Sequence, residues 1–212
     1  MKNKTQIILI IFSVMSMNAN VFSQTNEWKT EKNKDGKVTV KSNISRRTDE
    51  KGDVVQLIAY SATTRERVNI SNCISVLKDV SNHKYFLDEK ESKMVKTISD
   101  NKWVIYYYFD SPWPMPDADC VVHMIFTEDV AKRTATFTLT AAPTLFEKKE
   151  IERMTYYNVT YVFKEVGDDE VEMTTTAKVT PVVQAPDWMV RSFFPEGPAD
   201  ILQRILKLAK NK

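Results

Sequence analysis

Residues 134–141 alternate without a break, with Ala135, Phe137, Leu139 and Ala141 on one parity and Thr134, Thr136, Thr138 and Thr140 on the other. A period of two sends successive side chains to opposite faces of a strand, so this run needs a sheet with one apolar and one solvated face. The pattern recurs twice downstream. Tyr157, Val159, Tyr161 and Phe163 oppose Asn158, Thr160 and Lys164; after a turn at Gly167-Asp168, Val171, Met173, Ala177 and Val179 oppose Glu172, Thr174, Thr176 and Lys178. Upstream, strands are expected from Glu91 onward, over 103–109 (WVIYYYF, β-favouring by composition) and over 120–126 after a proline-rich turn. Earlier still, 27–32 and 37–45 flank the Asp35-Gly36 turn, and 54–62 follows a second turn near Glu50 to Asp53.

The period changes in two places. Ile70, Cys73, Ile74 and Leu77 fall at i, i+3, i+4 and i+7, with Asn69 or Ser71 as N-cap, so a helix is predicted to end near 80–82, followed by a short turn over 83–87. At the other end, Pro186 suits the first position of a helix through Trp188 to Phe194. Pro195, Gly197 and Pro198 interrupt it, and 199–210 then sets Ile201, Leu202, Ile205, Leu206 and Leu208 along one stripe. Strands, one helix, a long meander and a terminal helix, with no βαβ alternation, predict an α+β fold: a curved antiparallel sheet wrapped around a long C-terminal helix.

The first 23 residues read as a signal peptide. Lys2 and Lys4 lead an apolar stretch, 7–17, too short to cross a bilayer, and cleavage is expected between Ser23 and Gln24. Residues 24–212 then form a single domain, expected in the periplasm of a Gram-negative bacterium or secreted. Loss of Lys2 and Lys4 takes the formal charge from +2 to neutral, which argues against nucleic-acid binding, where a basic face supplies most of the affinity. The four glycines are unclustered, so no phosphate-cradling loop is present, and two histidines forty residues apart leave no zinc site. No cofactor or metal is expected. Cys73 and Cys120 sit among apolar neighbours and read as two buried free thiols, although an exported chain permits a bridge.

Candidate catalytic groups are few. Asp117 and Asp119 have the spacing of a carboxylate pair, but aspartates beside Pro116 more commonly cap and turn. Cys120 and His123 have opposite parity on one strand and cannot form a nucleophile–base pair. Glu152, Arg153 and Glu172 are expected on a solvated strand face, the alternative being that one of them points inward to meet a ligand hydroxyl or headgroup.

Four segments resemble the StAR-related lipid-transfer (START) domain family, in the family's order. They are Trp28 with Asp35-Gly36 and 38–41; ISVLKDVSNHKYFL at 74–87; PWPMPDADCV at 112–121; and PVVQAPDWMV at 181–190. One departure is Ala118 between Asp117 and Asp119, where the family usually has arginine, which weakens any ionic role carried over to that position. Trp113 is read as shaping the proline turn. The resemblance, to an exported bacterial member, implies a helix-grip (START/Bet v 1-like) fold with an apolar tunnel between sheet and terminal helix. It implies a lipid or other hydrophobic ligand, for transfer or sequestration in the cell envelope, and no enzymatic activity. Parity then nominates Trp103, Ile105, Tyr107, Phe137, Leu139, Tyr157, Tyr161, Met173, Ala177, Met189 and Phe193 as ligand-binding, and Pro195, Gly197 and Pro198 as a gate or hinge. Small residues at Ala135, Ala141 and Ala177 leave room for a ligand or let the helix pack closely; the pattern admits both. A monomer touching membranes transiently is expected. Two alternatives are a cyclase/aromatase-like enzyme, which needs acid–base groups on inner faces that read as nearly free of them, and an interaction module with a filled core.

Overall fold

The computed structural model describes residues 27–110 and 115–212; the expected signal peptide and the Pro112-Trp113-Pro114 turn lie outside them. Three strands open the chain: β1 (Lys29–Lys32), β2 (Thr39–Thr48) and β3 (Val54–Arg67). Asn69 then caps α1 (Ile70–Lys78) by accepting from the Ser71 amide at 2.8 Å, as one of the two expected caps. A 3-10 turn over Val80–Asn82 leads into the short α2 (His83–Leu87). The meander follows: β4 (Glu91–Ser99), β5 (Lys102–Phe109), β6 (Ala118–Asp129), β7 (Thr134–Ala141), the two-residue β8 (Glu152–Arg153), β9 (Tyr157–Gly167) and β10 (Glu170–Val179). Two helices, α3 (Asp187–Ser192) and α4 (Glu196–Lys210), close the chain.

All these strands form one sheet in the order β1-β2-β3-β10-β9-β7-β6-β5-β4, antiparallel throughout except that β8 lies parallel to β6. The last long strand therefore pairs with an early one. β10 runs beside β3 from Glu170↔Arg67 to Val179↔Ile58, uniting the opening strands with the meander. The helical crossover from β3 to β4 passes over the same face that receives α4. Helix α4 buries Ala199, Leu202, Ile205, Leu206 and Ala209 and packs on α1, α2, β2 and β3. It starts three residues earlier than its pattern suggested, because Gly197 and Pro198 fit in a first turn whose amides need no helical partner.

Two polar knots tie this frame. At 0% exposure, His83 is held on both ring nitrogens, Nε2 to the Leu77 carbonyl and Nδ1 to the Tyr107 hydroxyl, each at 2.8 Å. The carbonyl can only accept, so Nε2 carries the proton and Tyr107 donates to Nδ1. This bond docks the α1–α2 corner onto β5. Burial pushes the His83 pKa down to about 4, so the ring is neutral.

The second knot corrects the reading of Asp119 and Arg153 as turn and solvated residues. Arg153 Nε and Nη2 donate to the two Asp119 carboxylate oxygens at 2.7 Å, with the side chains 6% and 0% exposed. Nη1 donates to the carbonyls of Pro143 and Phe146 at 2.8 Å, and Nη2 also reaches Glu147 at 2.7 Å. All five guanidinium donors are used. The guanidinium that meets Asp119 thus comes from 34 residues downstream of it, not from position 118. It holds the segment after β7 so that Phe146 covers Tyr106, ring centroids 5.1 Å apart. Val104, Tyr106 and Val121 are consequently buried on the sheet's outer face, which the alternation alone would leave to water.

Removing either partner of a buried ion pair strands the other charge. Arg153→Met or Asp119→Asn alone should cost about 3–5 kcal/mol, and Asp119→Leu with Arg153→Met should recover much of that, by urea denaturation. For His83 the unfolded pKa near 6.5 exceeds the folded one near 4. Its contribution is therefore complete above pH 6.5 and is lost as pH falls toward 4, by roughly 3 kcal/mol. The stability gap between wild type and His83→Gln should narrow over that interval; a gap independent of pH would refute the neutral, buried ring.

Candidate ligand-binding interior

Nine of the eleven nominated residues meet in one place. Trp103, Ile105, Tyr107, Phe137, Leu139, Tyr157, Tyr161, Met173 and Ala177 belong to a single buried cluster with Leu202, Ile205 and Leu206 of α4. Registry brings them together: Tyr161 faces Phe137 on β7 and Thr175 on β10, while Ala177 lies between Val159 and Tyr60. Aromatic rings line the interior, with Tyr107, Phe109 and Tyr157 mutually 6.2–6.5 Å apart and Phe86 of α2 6.2 Å from Tyr161. The small residues at 135 and 177 are buried, so the helix side of the sheet is flat there.

Met189 and Phe193 do not join the cluster, because α3 buries none of its residues. Phe193 is 47% exposed and Trp188 70% exposed. The nominated hinge is also placed differently. Pro195 precedes α4, whereas Gly197 and Pro198 are inside its first turn. Any Cβ at Gly197 would overlap the Phe193 ring, so this glycine is where that ring rests on the helix.

The hollows beside α4 open to solvent. One, of about 350 Å³, runs between α4 and β3 and is lined by Lys37, Thr64, Glu66, Gln203, Leu206 and Lys210. Another, of about 130 Å³, separates α2 from the start of α4, between Phe86, Leu87, Phe193, Gly197, Ile201 and Arg204. Across this seam Arg204 meets Asp88 at 3.2 Å, an exposed pair worth little in stability. Tyr107, Tyr157 and Tyr161 line neither hollow.

The interior is more polar than its inner-face parity suggested. Besides His83, it holds Thr175 and Glu89, 0% and 8% exposed. Thr175 Oγ1 and both Glu89 carboxyl oxygens have no hydrogen-bond partner among the described residues. Burial raises the Glu89 pKa well above the ordinary carboxylate range, which favours the protonated form. Sequence reasoning missed Glu89 because its direction depends on Asp88, which takes a left-handed conformation (φ 60°) as α2 ends and turns the next side chain inward. The signal available was an aspartate at a helix C-cap, tolerated there without glycine.

The carboxylates at 117 and 119 do not act as a pair. Asp117 receives the Tyr108 hydroxyl and Asp119 the Arg153 fork, so the two carboxylates serve different neighbours. Cys73 and Cys120 are buried and unbridged. Burial pushes the Cys73 thiol up to about 12 and Cys120 higher, away from reactive thiolates. No group of three or more potential metal ligands occurs among the described residues.

No protein-family profile matches the sequence, and no curated protein is recognisably similar to it. Solved structures are. A STAR-related lipid transfer protein from Xanthomonas axonopodis superposes with a TM-score of 0.68 at 18% identity, covering 84% of this chain and 96% of that one. Human StAR-related lipid transfer protein 5 gives 0.69 at 14% identity, with 89% of each chain covered. The lipid transfer and protein localization domain of human StarD13 gives 0.64 at 17%, covering 87% and 89%. Ten strands curved around a terminal helix, superposable over nearly all their length on these proteins, give the chain the helix-grip fold of the START domains.

Proposed function

We propose that this protein carries a lipid or another hydrophobic small molecule between its concave sheet face and α4. The observation that carries the reading is the thin seal of that interior at one seam. Along its body α4 is buried on apolar contacts, but at its start it meets α2 through a small hollow, a surface ion pair and the half-exposed Phe193. The likeness to lipid transfer proteins supports the same reading.

Energetics suit a carrier. Burying roughly 400 Å² of ligand hydrocarbon gives about 10 kcal/mol relative to water at ~25 cal/mol per Å². Relative to a bilayer the exchange is near neutral, so ligand passes both ways while water stays excluded. The seam hollow, about 130 Å³, is smaller than the ~300–1,000 Å³ of ordinary small-molecule sites. Admission therefore requires the first turn of α4 to move from α2, with Phe193 as the stopper and Pro195 to Pro198 as the pivot.

Membrane contact falls to α3. Trp188 and Phe193 present aromatic surface beside Arg191, the composition that settles at a bilayer interface. The expected signal peptide puts this exchange in the periplasm or outside the cell, on a monomer. Transfer suits an aqueous compartment between membranes. The cyclase-like alternative would have to use a buried group other than His83, whose two ring nitrogens are both committed.

Two experiments test the proposal. Protein incubated with phosphatidylcholine vesicles containing palmitic acid, re-isolated and extracted for mass spectrometry, should carry lipid. Bridging Asp88→Cys and Arg204→Cys with a short bis-maleimide should slow loading at least about tenfold; the buried native thiols will not compete. Undiminished loading after bridging would move the entrance elsewhere. Separately, Trp188→Ser should slow vesicle-to-vesicle transfer several-fold while leaving the amount bound at equilibrium unchanged, and equal rates would remove α3 from membrane contact.

A further inference from the structure

The interior contains two polar side chains that a filled apolar core would not retain. A buried hydrogen-bonding group without a partner is costly, and native structures keep few of them. Glu89 is the stronger case, since neither carboxyl oxygen has a partner among the described residues and the side chain is more than nine-tenths buried. Its surroundings are specific. The segment that carries it is tied to β5 one residue on, where the Lys90 amide donates to the Tyr108 carbonyl at 3.2 Å, next to Tyr107 of the inner face, whose ring lies 6.5 Å from that of Tyr157. Thr175, the second unpartnered group, is the register partner of Tyr161 on the neighbouring strand.

Donors and acceptors can be assigned. The His83 tautomer commits the Tyr107 proton to Nδ1, leaving the Tyr107 oxygen with lone pairs to accept. Neutral Glu89 offers one O–H and a carbonyl oxygen, and Tyr157, Tyr161 and Thr175 bring hydroxyls. Neither buried base supplies a cation: His83 is neutral, and Arg153 is spent on Asp119 and loop carbonyls. A head that both donates and accepts, and brings no charge into the hydrocarbon interior, matches that inventory.

We propose that Glu89, with the inner-face tyrosines, is a recognition site for the hydroxyl group of an otherwise apolar ligand, so that the carrier selects lipid alcohols over hydrocarbons and over amines. This rests on the carrier reading above and narrows its ligand class. The ligand's hydroxyl donates to the Tyr107 or Glu89 carbonyl oxygen and accepts from the Glu89 O–H, supplying the partner the apo interior lacks. The alkyl chain then runs beneath α4 along Phe137, Leu139 and Met173.

The test uses hexadecan-1-ol, hexadecane and hexadecylamine in phosphatidylcholine vesicles, with bound ligand quantified after re-isolation. Wild type should retain the alcohol over the alkane at least about tenfold. Glu89→Gln, which keeps a neutral donor and acceptor, should stay within about threefold of wild type. Glu89→Leu should bind alcohol and alkane alike, and should melt at a higher temperature than wild type because an unpaired polar group has been removed. A preference that survives Glu89→Leu overturns the assignment, as does wild type that takes alcohol and alkane equally. Amine bound ahead of alcohol overturns it in favour of a cationic head. Wild type that takes up none of the three refutes the carrier reading itself, an outcome distinct from loss of selectivity.

Discussion

The pairing of β10 with β3 is the constraint on which the rest depends. Ten consecutive residue pairs, Glu170↔Arg67 through Val179↔Ile58, join the first strands of the chain to its last, with more than a hundred residues of helix and meander enclosed between them. Closing so long a loop is entropically unfavourable, and the pairing is worth that cost only because it completes a concave surface. On that surface Ala62, Thr175 and Tyr161 sit side by side across three strands. Without it the meander and the opening strands would be two half-sheets, and α4 would have no floor to span.

Much of this was legible in the sequence, for an identifiable reason. The runs at 134–141, 157–164 and 171–179 state their parity in every residue, and a strand whose neighbours are strands keeps that parity in the fold. The same parity found nine interior residues. It failed where direction is set by something other than period. Asp88 turns Glu89 inward through one left-handed residue, and no alternation encodes that step. Arg153 lies on a two-residue strand, too short to show a pattern, and its partner is on another strand. Met189 and Phe193 lie outside the buried cluster because α3 is fastened to the sheet by a polar end instead of an apolar face: Asp187 accepts from Arg46 of β2 and Gln56 of β3, and no residue of the helix is buried.

The interior joins two opposing requirements. Hydrocarbon must dominate it if apolar material is to reside there, and Phe137, Phe163, Leu139 and Met173 supply that. Yet Glu89 and Thr175 are retained at a cost that a purely structural core has no reason to bear. His83 shows the contrasting case: equally buried, it is satisfied on both nitrogens and contributes to the architecture alone. Glu89 differs from the other unpartnered groups in leaving both oxygens of its carboxyl unmatched.

The Arg153 knot has a mechanical consequence. Its five bonds weld the segment after β7 to β6, on the opposite side of the sheet from the seam where α4 meets α2. One wall of the molecule is therefore fixed by a pair shielded from solvent, whereas the seam between α2 and the start of α4 carries a solvent-screened pair, Asp88 with Arg204, beside the apolar contacts that bury the rest of α4. Added salt should weaken the second fastening and leave the first untouched.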